Sequence, residues 1–159
     1  MMRTKSLRWF FLMGLLVLFV IVLAVGPAFA QSKSLYWERF DVDINIDVDG
    51  TFDVVETQEI QFTQGSFTYG FRSIDTHLVD EITDIRVSDE AGPYREDYFE
   101  EPRTFSVSEE GSNVVIRWYF EETADMARTF DISYRVHGGL RYYEDGDQVW
   151  WQAVYGDRS

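Results

Sequence analysis

Residues 40–54 read FDVDINIDVDGTFDV, and this segment carries the clearest structural signal in the chain. From Phe40 to Val48, apolar residues occupy the even positions and Asp or Asn the odd ones. A period of two is typical of a β-strand with one face in solvent. The segment therefore predicts a strand, a turn at Gly50 and the start of a second strand.

The register of this hairpin follows from parity. A two-residue Asp-Gly turn would place Phe52 on the acidic face, because a shift of one residue exchanges the two faces of a strand. A three-residue loop, 48–50, keeps the apolar residues together if Asp47 begins a type I turn and Gly50 is left-handed. We therefore predict two cross-strand pairs, Ile46 with Phe52 and Ile44 with Val54.

Similar alternation predicts further strands along the chain, at Ile82 to Ser88, Thr104 to Ser108, Val114 to Phe120, Thr129 to Val136 and Gln148 to Val154. Residues 64–80 and 89–103 lack this period and are predicted as loops. With the hairpin counted as two, about seven strands result, which is enough for an antiparallel β-sandwich. The predicted fold is all-β and immunoglobulin-like.

The first thirty residues have the order of a secretory signal. A basic start is followed by an apolar run from Trp9 to Val25, then Pro27, and then Ala28-Phe29-Ala30. We predict a signal peptide over 1–30, cleavage before Gln31, and one extracytoplasmic domain over 31–159. The alternative is an uncleaved membrane anchor, because the run is almost long enough to span a bilayer. Both alternatives predict export.

Composition excludes several classes of function. All 28 Asp and Glu lie after residue 30 together with 11 Lys and Arg, which gives the exported part a net charge of −17. Nucleic acid is not an expected partner, because phosphate binding needs clustered basic residues. The chain has no Cys. It therefore has neither disulfides nor Cys nucleophiles or metal ligands, and no cofactor is predicted.

Calcium is the one metal ion whose binding the residue spacing suggests. Residues in the first hairpin match six positions of an EF-hand loop: Asn45, Asp47, Asp49, Gly50, Asp53 and Glu56. An EF-hand loop lies between helices, whereas both flanks here alternate as strands do. We therefore predict a solvated acidic strand face and no metal site.

Aromatic doublets and paired acids are the other candidate sites. If the doublets lie in strands, each places one ring in the core and one outside; they are Tyr36-Trp37, Trp118-Tyr119, Tyr142-Tyr143 and Trp150-Trp151. Outer rings beside carboxylates can stack on sugars, but core and interface packing is the more common role of such rings. Acid pairs of the glycosidase type are Glu56 with Glu59, Glu100 with Glu101, and Glu121 with Glu122. Neither His77 nor His137 lies in a catalytic motif. No catalytic residue is predicted.

Glu56 and Gln58 interrupt the apolar face of the second strand. A carboxylate that points into a core needs a partner. Arg72 is the only Lys or Arg between Arg39 and Arg86, so we predict an ion pair between Glu56 and Arg72. It would connect the second strand to the predicted 64–80 loop.

Four segments follow one another in a distinctive order: residues 41–56, the motif YGFRSI at 69–74, RTFDISYRV at 128–136 and DQVWWQAV at 147–154. In this order they resemble the N-terminal part of domain of unknown function 2207, a family of predicted membrane proteins. The resemblance implies an extracytoplasmic β-domain followed by transmembrane helices, and it implies no catalytic residues. Because no second apolar run follows, the chain is expected to be a truncated form that lacks the membrane half.

The function expected from these observations is interaction or sensing at the cell surface by a non-catalytic domain. The partner would be a cell-surface protein or a glycan. A carbohydrate-binding module with exposed aromatics is the alternative, and a glycoside hydrolase is the third.

Overall fold

The computed structural model describes residues 32–153, and these residues contain no helix. The predicted signal sequence and Val154 lie outside them. Within the described residues, eleven strands follow one another: β1 (Ser34–Ile46), β2 (Phe52–Gln64), β3 (Phe67–Asp75), β4 (Glu81–Asp89), β5 (Gly92–Pro93), β6 (Arg95–Glu96), β7 (Thr104–Glu110), β8 (Asn113–Thr123), β9 (Ala127–His137), β10 (Leu140–Arg141) and β11 (Gln148–Val149).

Seven of these strands are long, and they form two sheets that share one core. The first sheet has the order β1-β2-β9-β4-β5 and the second the order β3-β8-β7-β6, while β10 and β11 pair separately. Aromatic rings pack across the layers, with Trp118 of β8 5.7 Å from Phe130 of β9 between ring centroids. The predicted all-β antiparallel sandwich is confirmed. β9, the seventh of the long strands, lies between β2 and β4. In an immunoglobulin domain the fifth strand lies there. The domain therefore shares the sandwich architecture of immunoglobulin domains but has a different strand order.

The first hairpin has the predicted register. Ile46 pairs with Phe52 and Ile44 with Val54. The N–H of Gly50 donates to the carbonyl of Asp47 at 3.0 Å, which closes the turn, and Gly50 has a φ of 86°. Phe52 and Val54 are fully buried, because the register keeps them on the face that packs against the second sheet.

Gly50→Val should lower the free energy of unfolding by about 1–2 kcal/mol, because a β-branched residue is strained at positive φ. A Cβ at this position would also meet the hydroxyl of Tyr142. Gly50→Asn is the matched control, since Asn adopts this conformation several times more readily than other non-glycine residues. Urea denaturation of both variants measures the difference. Equal costs for Val and Asn would contradict a left-handed turn.

Two sequence-based assignments are wrong. Residues 64–80 contain the nine-residue strand β3, and 89–103 contain the two short strands β5 and β6. In β3 the usual pattern is reversed, because Gly70 and Arg72 face the core while Tyr69 and Phe71 are half to two-thirds exposed. The strand predicted from Gln148 to Val154 is limited to Gln148–Val149 within the described residues.

The apolar face of β1 is only partly covered. Ile44 and Ile46 are 39% and 48% exposed although their partners across the hairpin are fully buried. β1 is the edge of the five-stranded sheet, whereas the facing sheet has only four strands and ends at β3. The second sheet therefore leaves part of the apolar face of β1 uncovered, and there is an opening between the edge strands β1 and β3.

Candidate functional site

The opening between the edge strands β1 and β3 is a cleft of about 480 Å³. This volume lies in the range of small-molecule sites. β5 and β6, at the opposite edges of the two sheets, are joined by a single residue, Tyr94. The side between β1 and β3 has no such connection except where β2 leads into β3. One side of the sandwich is therefore open.

A β-bulge turns the side chains of β1 toward the cleft. Trp37 pairs with Ile60 and Arg39 pairs with Glu59, so Glu38 is the extra residue. Before the bulge the odd-numbered side chains face the core side, and after it the even-numbered ones do. Trp37 and Phe40 consequently lie on the same face, and both line the cleft.

The cleft walls are mainly aliphatic and aromatic. Side chains from β1, β2, β3, β8 and β9 line it, and they include Leu35, Ile60, Phe62, Phe67, Phe120 and Phe130. Polar side chains are a minority of the lining, and the charged ones are Lys33 and Arg72. No Asp or Glu lies among the lining residues, although residues 31–159 contain 28 of them. Such a surface suits an apolar group.

A buried polar network lies beside the cleft. The carboxylate of Glu56 is fully buried and accepts hydrogen bonds from Arg72 Nε at 2.8 and 2.9 Å, and Arg72 Nη2 lies 2.8 Å from Glu56 Oε1. The hydroxyl of Tyr134 donates to the same carboxylate at 2.6 Å, and the amide of Gln58 donates at 3.2 Å. The predicted contact of Glu56 with Arg72 is confirmed, and it joins the two sheets because Arg72 lies in β3.

Two further groups extend this network. Trp37 Nε1 donates to Gln58 Oε1 at 3.2 Å, which links the cleft wall to the buried carboxylate. Burial, together with the negative charge of Glu56, raises the pKa of Tyr134 far above its usual value. Tyr134 therefore stays a neutral donor at any physiological pH. The network therefore connects three residues that line the cleft, Trp37, Gln58 and Arg72, to one buried carboxylate.

A second charged cluster joins the sheets at the far end of β4. Asp89 accepts from Arg128 at 2.7 Å, from Arg103 at 3.1 Å and from the hydroxyl of Tyr94 at 3.0 Å. Burial alone would raise the pKa of Asp89. The hydrogen bonds from Tyr94, the Ala91 N–H and Arg103 outweigh burial, so the pKa is lowered. Together with the network at Glu56, this gives residues 32–153, which contain no cysteine, two ionic connections between the sheets.

Asp89→Asn should reduce the free energy of unfolding at pH 7 by about 1.5–3 kcal/mol, the usual value of hydrogen bonds to a charged group. Because the pKa of Asp89 is lower in the folded than in the unfolded state, the stabilisation is present above an unfolded-state pKa of about 3.9. It is lost as pH falls through the folded-state value. Chemical denaturation from pH 7 to pH 2.5 should therefore show the gap closing in acid. Asp43→Asn, on the exposed face of β1, is the control. A gap independent of pH would contradict this role.

The residues at EF-hand spacing do not surround a common position for a metal ion. Asp53 is held by Arg135 at 2.8 Å, Asp47 by the same Arg at 3.2 Å, and Asp49 by the Thr51 hydroxyl at 2.7 Å. Glu56 is on the opposite face, in the core. Between residues 32 and 153, no group of three or more His, Asp or Glu side chains is arranged to hold a metal ion.

The aromatic doublets divide into three arrangements. Tyr36 is 50% exposed while Trp37 lines the cleft, as predicted. Trp118 and Tyr119 are both buried. Tyr142-Tyr143 and Trp150-Trp151 lie outside the strands, and their exposed rings are Tyr142, Tyr143 and Trp150.

The paired acids and the histidines are spread over the molecule. Glu56 is in the core, whereas Glu59 is on the outer face beside Arg39. The other four acids are exposed: Glu100, Glu101, Glu121 and Glu122. The ring of His137 lies 2.8 Å from the Thr83 hydroxyl, and His77 is exposed in the turn after β3. None of the predicted carboxylate pairs faces the cleft.

Sequence reasoning missed the cleft as a whole. The signals available were the parity change between Trp37 and Phe40, which marks the bulge, and Gly70 in an otherwise aromatic segment. A Cβ on Gly70 would lie 2.5 Å from Trp118 Cζ2, so only glycine leaves room for that indole. Neither signal reveals which strands border one another.

Comparison with known proteins gives one match. Residues 36–159 match the family model described as "Predicted membrane protein (DUF2207) N-terminal domain". A search of curated proteins and a search of solved structures each returned no match. Within residues 32–153, no helix is both long and apolar enough to span a bilayer. The match covers most of the chain, which therefore belongs to the DUF2207 family of predicted membrane proteins and carries its N-terminal domain.

Proposed function

We propose that this domain binds an apolar ligand in the cleft between β1 and β3, and that it acts in interaction or sensing on the extracytoplasmic side of a membrane protein. The observation that carries the proposal is the composition of the cleft. Its walls are mainly apolar and free of carboxylates in a strongly acidic domain. Apolar surface of this kind, with a few fixed polar groups, is typical of ligand sites.

The proposal assigns no catalysis to the domain. The carboxylate of Glu56, which contacts the lining residues Arg72 and Gln58, accepts hydrogen bonds from both of them and from Tyr134. These contacts favour a structural role for Glu56. Export is part of the proposal as well, and it rests on the order of residues 1–30. Mass spectrometry of the exported protein tests it: a new N-terminus at Gln31 is expected, and retention of Met1 on a membrane-bound product would favour the anchor.

Binding of a neutral, environment-sensitive fluorophore tests the cleft itself. Phe40→Ser removes an apolar side chain from the wall and should weaken fluorophore binding. Ile44→Ser is the matched control, because Ile44 has the same strand and face but does not line the cleft. The fluorescence of Trp37 and Trp118 gives a second readout, since both line the cleft. Equal binding to both variants and the parent protein would contradict the proposal.

A carbohydrate-binding module is the second candidate. It is favoured by exposed rings beside acids in the segment that follows β9. Tyr142, Tyr143 and Trp150 are 66%, 51% and 42% exposed, and the nearby acids are Glu144, Asp145 and Asp147. Aromatic faces stack on the apolar faces of sugars, and carboxylates accept from their hydroxyls. A glycan array tests this candidate: binding that Tyr142→Ala removes would support it over the cleft.

A further inference from the structure

The cleft has a charge distribution unlike that of the rest of the domain. Two cationic side chains and no carboxylate line it, in an exported part with a net charge of −17. The charge of Arg72 is neutralised by Glu56, with Arg72 Nη2 2.8 Å from Glu56 Oε1. Lys33 makes no ion pair with any described residue. The cleft therefore presents one cation that is not neutralised within the described part of the chain.

Lys33 lies where the apolar wall meets solvent. Lys33 is exposed, and its aliphatic part lies beside Gly65. Its ammonium lies 5.2 Å from the ring centroid of Phe67, and that ring packs 4.8 Å from Phe62 deeper in the cleft. Long basic side chains commonly run along apolar surface and keep the charge in water. A charged head and an apolar interior thus adjoin each other at this opening.

We infer that the cleft binds a single-chain anionic amphiphile, with its chain between the sheets and its carboxylate or equivalent head at Lys33. This inference rests on the proposed function and specifies its ligand. An anionic head is favoured because no carboxylate in the cleft opposes it. The same feature disfavours a cationic head, which would meet Lys33 with nothing to neutralise it. A small-molecule volume with a single cation at its opening fits one chain and one head group.

The experiment compares three probes that share a twelve-carbon chain: dodecanoate, dodecanol and dodecyltrimethylammonium, all below their micelle concentrations. Each is used to displace the neutral fluorophore from the whole domain. Dodecanoate should bind tightest, by up to about fivefold over dodecanol, the range of an exposed ion pair. The ammonium compound should bind weakest. Affinity for the carboxylates should rise by up to about fourfold for each added CH₂ until the cleft is filled.

Lys33→Ala should abolish the preference for dodecanoate over dodecanol. Arg39→Ala is the matched control, because Arg39 is a cation six residues further along the chain that pairs with Asp41 and does not line the cleft. Lys33→Gln provides a second variant that keeps the length of the side chain. Raising the salt concentration should reduce the preference in the parent protein and leave dodecanol binding unchanged.

The outcomes separate this inference from the proposed function. Equal binding of dodecanoate and dodecanol, or a preference lost equally in Arg39→Ala, would overturn the anionic head and leave the cleft as an apolar site. Tightest binding of the ammonium compound would overturn it as well. Capture by anionic phospholipid vesicles without displacement by dodecanoate would assign the site to a membrane surface instead. If no probe displaces the fluorophore and Phe40→Ser has no effect, the proposed function itself fails.

Discussion

Replacing either Glu56 or Arg72 by Ala should lower the free energy of unfolding by about 3–5 kcal/mol, because each change leaves the other charge buried without its partner. Glu56 is 0% exposed and Arg72 only 8%. Three donor residues converge on the Glu56 carboxylate, so its loss also deprives Tyr134 and Gln58 of an acceptor. This is one of the two largest effects that we expect from single substitutions in the domain.

The double change should cost clearly less than the sum of the two single changes, since neither charge is then left alone. Urea denaturation of the four proteins of this cycle measures the coupling directly. The cost of Arg103→Ala can be compared with these costs, because Arg103 contacts Asp89 in the other charged cluster. Both of those residues are distant in sequence from Glu56 and Arg72. Additive costs for Glu56 and Arg72 would show that the contact contributes nothing of its own.

This pair also shows what the sequence can predict. Glu56 follows Phe52 and Val54 on the face that must be buried, so parity alone requires a partner for it. The scarcity of basic residues then identifies Arg72. Register, turn and pair all follow from local rules in a strand with regular alternation, and all three are confirmed.

The same rules fail for β3 because its two faces exchange their usual residues. Arg72 faces inward to meet Glu56, and Gly70 faces inward to accommodate Trp118. Tyr69 and Phe71 face outward, and Tyr69 lies 6.3 Å from Tyr119 between ring centroids. When contacts with other strands determine which residues face inward, the sequence of the strand shows no regular alternation of polar and apolar residues. Its partners must be known first.

The cleft could not be predicted for a related reason. It exists because the five-stranded sheet extends past the four-stranded one, and strand order is a property of the whole fold. β9 enters the first sheet beside β2 while β8 and β7 remain in the second. Periodicity marks each of these strands correctly and says nothing about which sheet each one joins. The exposed Ile44 and Ile46 are the consequence, and their sequence pattern is that of a buried face.

Trp118→Ala is the second change with a large expected effect, about 3–5 kcal/mol, the usual cost of removing a buried aromatic side chain. Trp118 is 1% exposed and packs against Phe130 in the facing sheet. Trp118→Phe should cost much less, because the indole Nε1 donates to no acceptor among the described residues and no hydrogen bond is lost. A comparable cost for Ala and Phe would contradict this account.

Substitution of Gly70 tests the packing of Trp118 most directly. Gly70→Leu alone should cost about 1–3 kcal/mol, because its side chain would overlap the indole and force the core to shift. The φ of Gly70 lies outside the left-handed region, so the cost is steric and owes nothing to backbone strain. In the Trp118→Ala background the new side chain enters the space that the indole has left. The double variant should therefore be more stable than Trp118→Ala alone, as measured by urea denaturation. If Gly70→Leu costs the same in both backgrounds, the glycine is required for a reason other than its contact with Trp118.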